Sequence, residues 1–102
     1  MQLGRPATLR RVRTVALCAG SGGSVFKSLS MDVDVLFTGE LSHHEVLAAV
    51  EQGKYVILCG HSNTERGYLQ TLRQKLQQEV AVEHEALEVV ISEQDKDPLE
   101  II

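Results

Sequence analysis

The chain has 102 residues, enough for one small domain around one core. Its 43% hydrophobic and 24% charged residues suit a globular protein, and no apolar run approaches the ~20 residues that a membrane-spanning helix needs. The net charge of −4 is uneven: residues 1–30 carry Arg5, Arg10, Arg11, Arg13 and Lys27 and no acid, and the rest is strongly acidic.

The basic start reads as a solvated lead-in, since no aromatic residue is interleaved with its arginines. The acidic remainder would repel a phosphate backbone, so nucleic acid is not the expected partner, and neither is a membrane. Two cysteines without patterned spacing point to a reducing compartment rather than a disulfide framework. No secretory pattern opens the chain. The expected location is the cytoplasm, with the nucleus as a second compartment and the mitochondrion disfavoured.

In chain order, residues 1–11 read as an irregular basic segment broken by Gly4 and Pro6, and residues 12–102 as one α/β domain. Residues 12–18 predict a strand ending in VALC. Ala19 to Gly23 form a glycine-rich loop, and 24–30 a short helix. Residues 33–37, VDVLF, predict a second strand, and Thr38-Gly39-Glu40-Leu41 a turn. Ser42 with Glu45 three residues later is a capping box for a helix over 42–52, which Gly53 stops. Residues 54–59 predict a third strand. The apolar stripe Leu69, Leu72, Leu76, Val80 predicts a long helix over 63–79, and 87–91 a fourth strand.

The order β-α-β-α-β-α-β implies a mainly parallel sheet with flanking helices. In such sheets ligands bind beyond the carboxyl ends of the strands. Three loops lie there: 19–23, 38–44 and 60–65. His61 and Glu65, four residues apart, offer an imidazole and a carboxylate at one helix start, a pair suited to a divalent ion. Ser62 to Glu65 is equally a capping box, with Glu65 turned to the backbone of Ser62. Spacing leaves both readings open. His43 falls in register with Val46, Leu47 and Val50, on the expected buried stripe of its helix. Glu40 follows a glycine in a turn, where it is either solvated or able to serve as a general base or as a support for a ligand. Ser21, Gly22 and Gly23 could offer backbone amides to a phosphate or carboxylate, although the Lys-Ser/Thr of a P-loop is missing. Cys18 and Cys59 each end a strand, and would be close if those strands were neighbours.

Three stretches in this order, Val15 to Gly23, Thr38 to His44 and Gly60 to Gly67, resemble the C-terminal half of the Nif-three-like family, the GTP cyclohydrolase I type-two homologues. The tail Ser92 to Pro98 looks like that of animal members. The resemblance implies one half of a two-half α/β fold that holds two divalent ions, zinc, iron or manganese, between the halves. It implies that His61 and Glu65 are metal ligands, with Glu40 and His43 lining the site. A His-His pair and an Asp of the other half would complete it, and His43-His44 is not that pair. Implied too are hydrolase-like chemistry on nucleotide or phosphoester substrates, in which a metal activates water, and homo-oligomers. A competing expectation is a regulatory module that binds protein partners, with metal structural or absent. With its other ligands elsewhere, this chain should hold metal weakly.

Overall fold

A computed structural model describes residues 1–83 and 86–102. Four strands form one sheet: β1 (Gln2–Gly4), β2 (Val15–Ser21), β3 (Val35–Glu40) and β4 (Tyr55–Leu58), in the order β1-β4-β3-β2. The pairs β2–β3 and β3–β4 are parallel, as the alternation of strands and helices requires, and β1–β4 is antiparallel. The segment expected to be irregular therefore contributes an edge strand. Only three residues long, β1 is too short for a periodic signal to show in the sequence.

Helices α1 (Gly23–Lys27) and α2 (His43–Glu51) lie on one face of the sheet. The core there joins Ala16, Leu36 and Val56 of neighbouring strands to Ala49 of α2, with Phe26 of α1 packed against them. Helix α2 begins as the sequence dictates. Ser42 Oγ accepts from the Glu45 amide at 3.2 Å, and the Glu45 carboxylate accepts from the Ser42 amide at 3.1 Å. After α2 the chain turns through Gly53, whose φ of +85° is a left-handed angle that glycine adopts without strain.

Asp34 anchors the start of β3. Its carboxylate accepts from the amides of Arg13 at 2.8 Å and Thr14 at 3.0 Å, from the Thr14 hydroxyl at 3.1 Å, and from the Arg10 guanidinium. These bonds, the Arg13 amide foremost, hold the Asp34 carboxyl below the usual carboxylate range. The Arg10 side chain of the lead-in is thus structural.

Past β4 the expected continuous helix is three pieces: α3 (His61–Glu65), a 3₁₀ turn over Arg66–Tyr68, and α4 (Leu69–Glu83). The break falls at Gly67, a weak helix former. Helix α4 buries none of its residues. The radius of gyration is 17.9 Å, against about 13 Å for a compact chain of this size, so α4 and the tail form an arm. The expected fourth strand at 87–91 is not a strand. Gln77 of α4 donates from Nε2 to the Leu87 carbonyl at 2.8 Å and accepts from the Val89 amide at 2.8 Å. One side-chain amide satisfies backbone that a sheet neighbour would otherwise pair.

Candidate functional site

The carboxyl ends of β2, β3 and β4 meet at three glycines. Gly39 lies in β3 rather than in the expected turn, and Gly60 donates its amide to the Gly39 carbonyl at 2.8 Å. A Cβ on Gly39 would fall 2.5 Å from the Gly20 carbonyl, 2.7 Å from the Gly60 carbonyl and 2.7 Å from Thr64 Oγ1. No side chain fits there. Gly20 and Gly60 have φ of +73° and +92°, so each bends its loop through the left-handed region. Thr64, not singled out by any motif, ties the loops together. Its Oγ1 accepts from the Gly20 amide at 2.8 Å and lies 2.8 Å from the His61 carbonyl, to which it can donate. Thr38, fully buried, donates to the Gly20 carbonyl at 3.1 Å.

This frame brings three of the expected site residues together. Glu40 closes β3, and His61 opens α3. His61 Nδ1 lies 2.9 Å from Glu40 Oε1, and His61 Nε2 lies 2.7 Å from Glu65 Oε1. Carboxylates thus face both edges of one imidazole, and all three side chains are about half exposed. The Glu40 hydrogen bond, with the added charge of Glu65, holds the His61 pKa above the ordinary histidine value, against a smaller desolvation effect. Glu65 is not a cap: α3 follows Gly60 with no side-chain cap bond, and the carboxylate turns to His61 instead.

The other expected residues take no part in that contact. His43 is exposed in the first turn of α2 and borders a cleft with Leu3, Gly4, Val46 and Leu58. Its ring meets His44 edge to face, with centroids 6.0 Å apart. At the glycine loop Ser21 ends β2, paired with Glu40. Gly22 has φ −89°, and only Gly20 of this loop has a positive φ. Gly22 is short of space, whereas the group nearest Gly23 is the movable end of a long side chain. A Cβ on Gly22 would meet Phe26 at 2.7 Å, and one on Gly23 would meet the Glu45 carboxylate at 2.6 Å. An anion at Ser21, Gly22 and Gly23 would face the charge of Glu45. Cys18 and Cys59 are not on neighbouring strands: Cys18 pairs with Thr38, and the Cys59 amide bonds the Thr38 carbonyl from the other side.

Among the described residues no group of three or more His, Cys, Asp and Glu side chains is placed to hold a metal ion. His61 Nε2 and Glu65 Oε1 are a two-donor set of the nitrogen and oxygen type that divalent ions take. A Cβ on Gly20 would lie 3.0 Å from Glu65 Oε1 and 3.2 Å from His61 Nε2, so the glycine leaves that pair uncrowded. The donors fit such an ion and fall short of a closed site. No helix among the described residues is long and apolar enough to cross a membrane.

The chain is 54% identical over 91 residues to NGG1-interacting factor 3 of Saccharomyces cerevisiae, covering 89% of this chain and 30% of that protein. It is 46% identical over 103 residues to human NIF3-like protein 1, covering all of this chain and 26% of that protein. It resembles a Bacillus cereus protein related to NIF3, known from a crystal structure, with a TM-score of 0.73 at 25% identity, over 100% of this chain and 28% of that one. The chain spans less than a third of the length of the curated relatives it matches. The profile of Duf34/NIF3 (NGG1p interacting factor 3) matches residues 4–98, and the chain belongs to that family.

Proposed function

We propose that the chain contributes His61 and Glu65 to a divalent-metal site whose remaining ligands come from outside it. The observation that carries this reading is the convergence of His61 Nε2 and Glu65 Oε1, 2.7 Å apart, at the carboxyl ends of parallel strands. When bound, zinc, iron or manganese would supply Lewis acidity toward an oxygen of a nucleotide or phosphoester, in hydrolase-like chemistry. Two such ions would share the intact site, and with two protein donors this chain alone binds metal weakly.

Calorimetric titration with zinc and manganese tests this. Weak binding is expected in the native chain and none in His61→Ala or Glu65→Gln. Because Glu65 caps nothing, Gln removes the ligand charge without unseating α3. Native-like binding by Glu65→Gln would show that Glu65 is no ligand.

A second reading, a module that binds protein partners with metal structural or absent, is favoured by the uncovered face of the sheet. Leu3, Ile57, Phe37 and Leu17 stand in one row across all four strands, with Leu17 72% exposed. Contiguous exposed apolar surface of this kind marks protein contacts, and the yeast relative's name, NGG1-interacting factor 3, agrees with such a role. A second copy is the simplest occupant. Sedimentation velocity over a concentration series should give dimers or larger species, and Leu17→Lys should shift them toward monomer. A native chain that stays monomeric at high concentration would remove self-association from this reading.

A further inference from the structure

We propose that Glu40 is a positioning residue for His61: its carboxylate accepts the hydrogen bond from Nδ1–H, which keeps the proton on Nδ1 and leaves the Nε2 lone pair free beside Glu65. This role rests on the metal reading above and deepens it.

The contact between Glu40 and His61 is set by the backbone. Glu40 and His61 lie 21 positions apart in sequence, on different elements. One residue before each, the Gly60 amide donates to the Gly39 carbonyl at 2.8 Å, and one residue earlier again the Cys59 amide donates to the Thr38 carbonyl at 3.1 Å. Backbone hydrogen bonds between the two chain segments thus continue past the last paired residues, Thr38 and Leu58, to the doorstep of both side chains. Gly39 has no room for any larger residue, and Gly60 has a positive φ. On the other side Glu40 is paired with Ser21 of β2. Both Cα positions are fixed, and the 2.9 Å contact from Glu40 Oε1 to His61 Nδ1 follows.

The chemistry follows from which nitrogen is left. An imidazole binds a metal through the nitrogen that has no proton, and the partner of the other nitrogen decides which that is. Two carboxylates compete for the ring here. If Glu65 held the proton of Nε2, the nitrogen next to the second candidate donor would be blocked. With the proton on Nδ1 and Glu40 as its acceptor, Nε2 and Glu65 Oε1 are both free to donate electron pairs to one cation. A carboxylate behind the ring also raises the basicity of the donor nitrogen and holds the ring plane.

The test is a long-range ¹H–¹⁵N correlation on the full chain with labelled histidine rings, at a pH near ~9 where imidazole is neutral. His61 is assigned by the signal lost in His61→Ala. The native chain should show His61 protonated on Nδ1. Glu40→Ala should move that proton to Nε2. Glu40→Gln should keep it on Nδ1, since the amide oxygen still accepts. Zinc is then titrated, following the Nε2 resonance. Glu40→Ala should lower zinc affinity about 10- to 100-fold, with Glu40→Gln between it and the native chain. A native His61 protonated on Nε2 overturns the proposal. Zinc binding through His61 that is equal in native and Glu40→Ala chains overturns the role of Glu40 and leaves the metal reading standing. A native His61 protonated on Nδ1 whose Nε2 resonance zinc does not move overturns the metal reading, and this role for Glu40 with it.

Discussion

The two faces of the sheet are built from the same strands and differ in almost everything else. On the covered face Ala16, Leu36 and Val56 form a row under α2, and Val56 is fully buried. On the other face the next row, Leu17, Phe37, Ile57 and Leu3, is as apolar, yet its ends Leu17 and Leu3 are exposed and Phe37 and Ile57 are only partly buried. Strand composition cannot tell the rows apart, because a strand alternates its side chains regardless of what waits on either side. The helices decide. Helices α1 and α2 pack on one face, while α3 reaches the other only at its strand tips and α4 leaves the sheet. The uncovered face is therefore tight at one place, around Gly39, where Thr64 and the Gly20 and Gly60 carbonyls close in. That tight spot carries Glu40, His61 and Glu65.

The largest effect should come from that spot. Gly39→Ala forces a methyl group against two backbone carbonyls that cannot swing aside, and should cost about 3 kcal/mol, at the upper end of overpacking. Urea unfolding would measure it, and a near-native midpoint would mean that the tips are as loose as the rest of that face. Val56→Ala, on the covered face, should cost about 2 kcal/mol through lost burial and a cavity. The matching change on the open face, Leu17→Ala, should stay within ~0.5 kcal/mol in dilute monomer, as exposed substitutions do. Equal losses at positions 17 and 56 would break the comparison, because Leu17 would then be covered in solution.

A further effect concerns the far end of the strands and depends on pH. Asp34 has a folded pKa below its unfolded value near ~3.9. Its contribution is fully present above the unfolded value and is lost as pH falls through the lower folded value. Asp34→Asn should therefore lower the melting midpoint at neutral pH, and the gap to the native chain should narrow below pH ~4. A gap that persists unchanged into acid would assign the loss to shape rather than charge.

Local chemistry was legible wherever it acts within a few residues. The Ser42–Glu45 box fixed the start of α2, and the alternation of strands and helices fixed a mostly parallel sheet with its loops at one end. Spacing also put His61 and Glu65 side by side, though it could not tell whether Glu65 would turn to the backbone or to the imidazole. The Nif-three-like resemblance read from three short motifs agrees with the family match over residues 4–98.

What the sequence by itself determined, then, was the series of elements and the end of the sheet where polar residues gather, because periodicity and capping are short-range. The tertiary structure decided the rest. It made Gln2–Gly4 a strand by offering the free edge of β4, and kept 87–91 out of the sheet by giving its backbone the amide of Gln77. It reserved Gly22 and Gly39 for want of space rather than for their angles. It set Glu40 behind His61 through backbone hydrogen bonds past the strand ends that neither residue's neighbours in sequence encode, since a contact across parallel strands exists only once the crossover between them has folded.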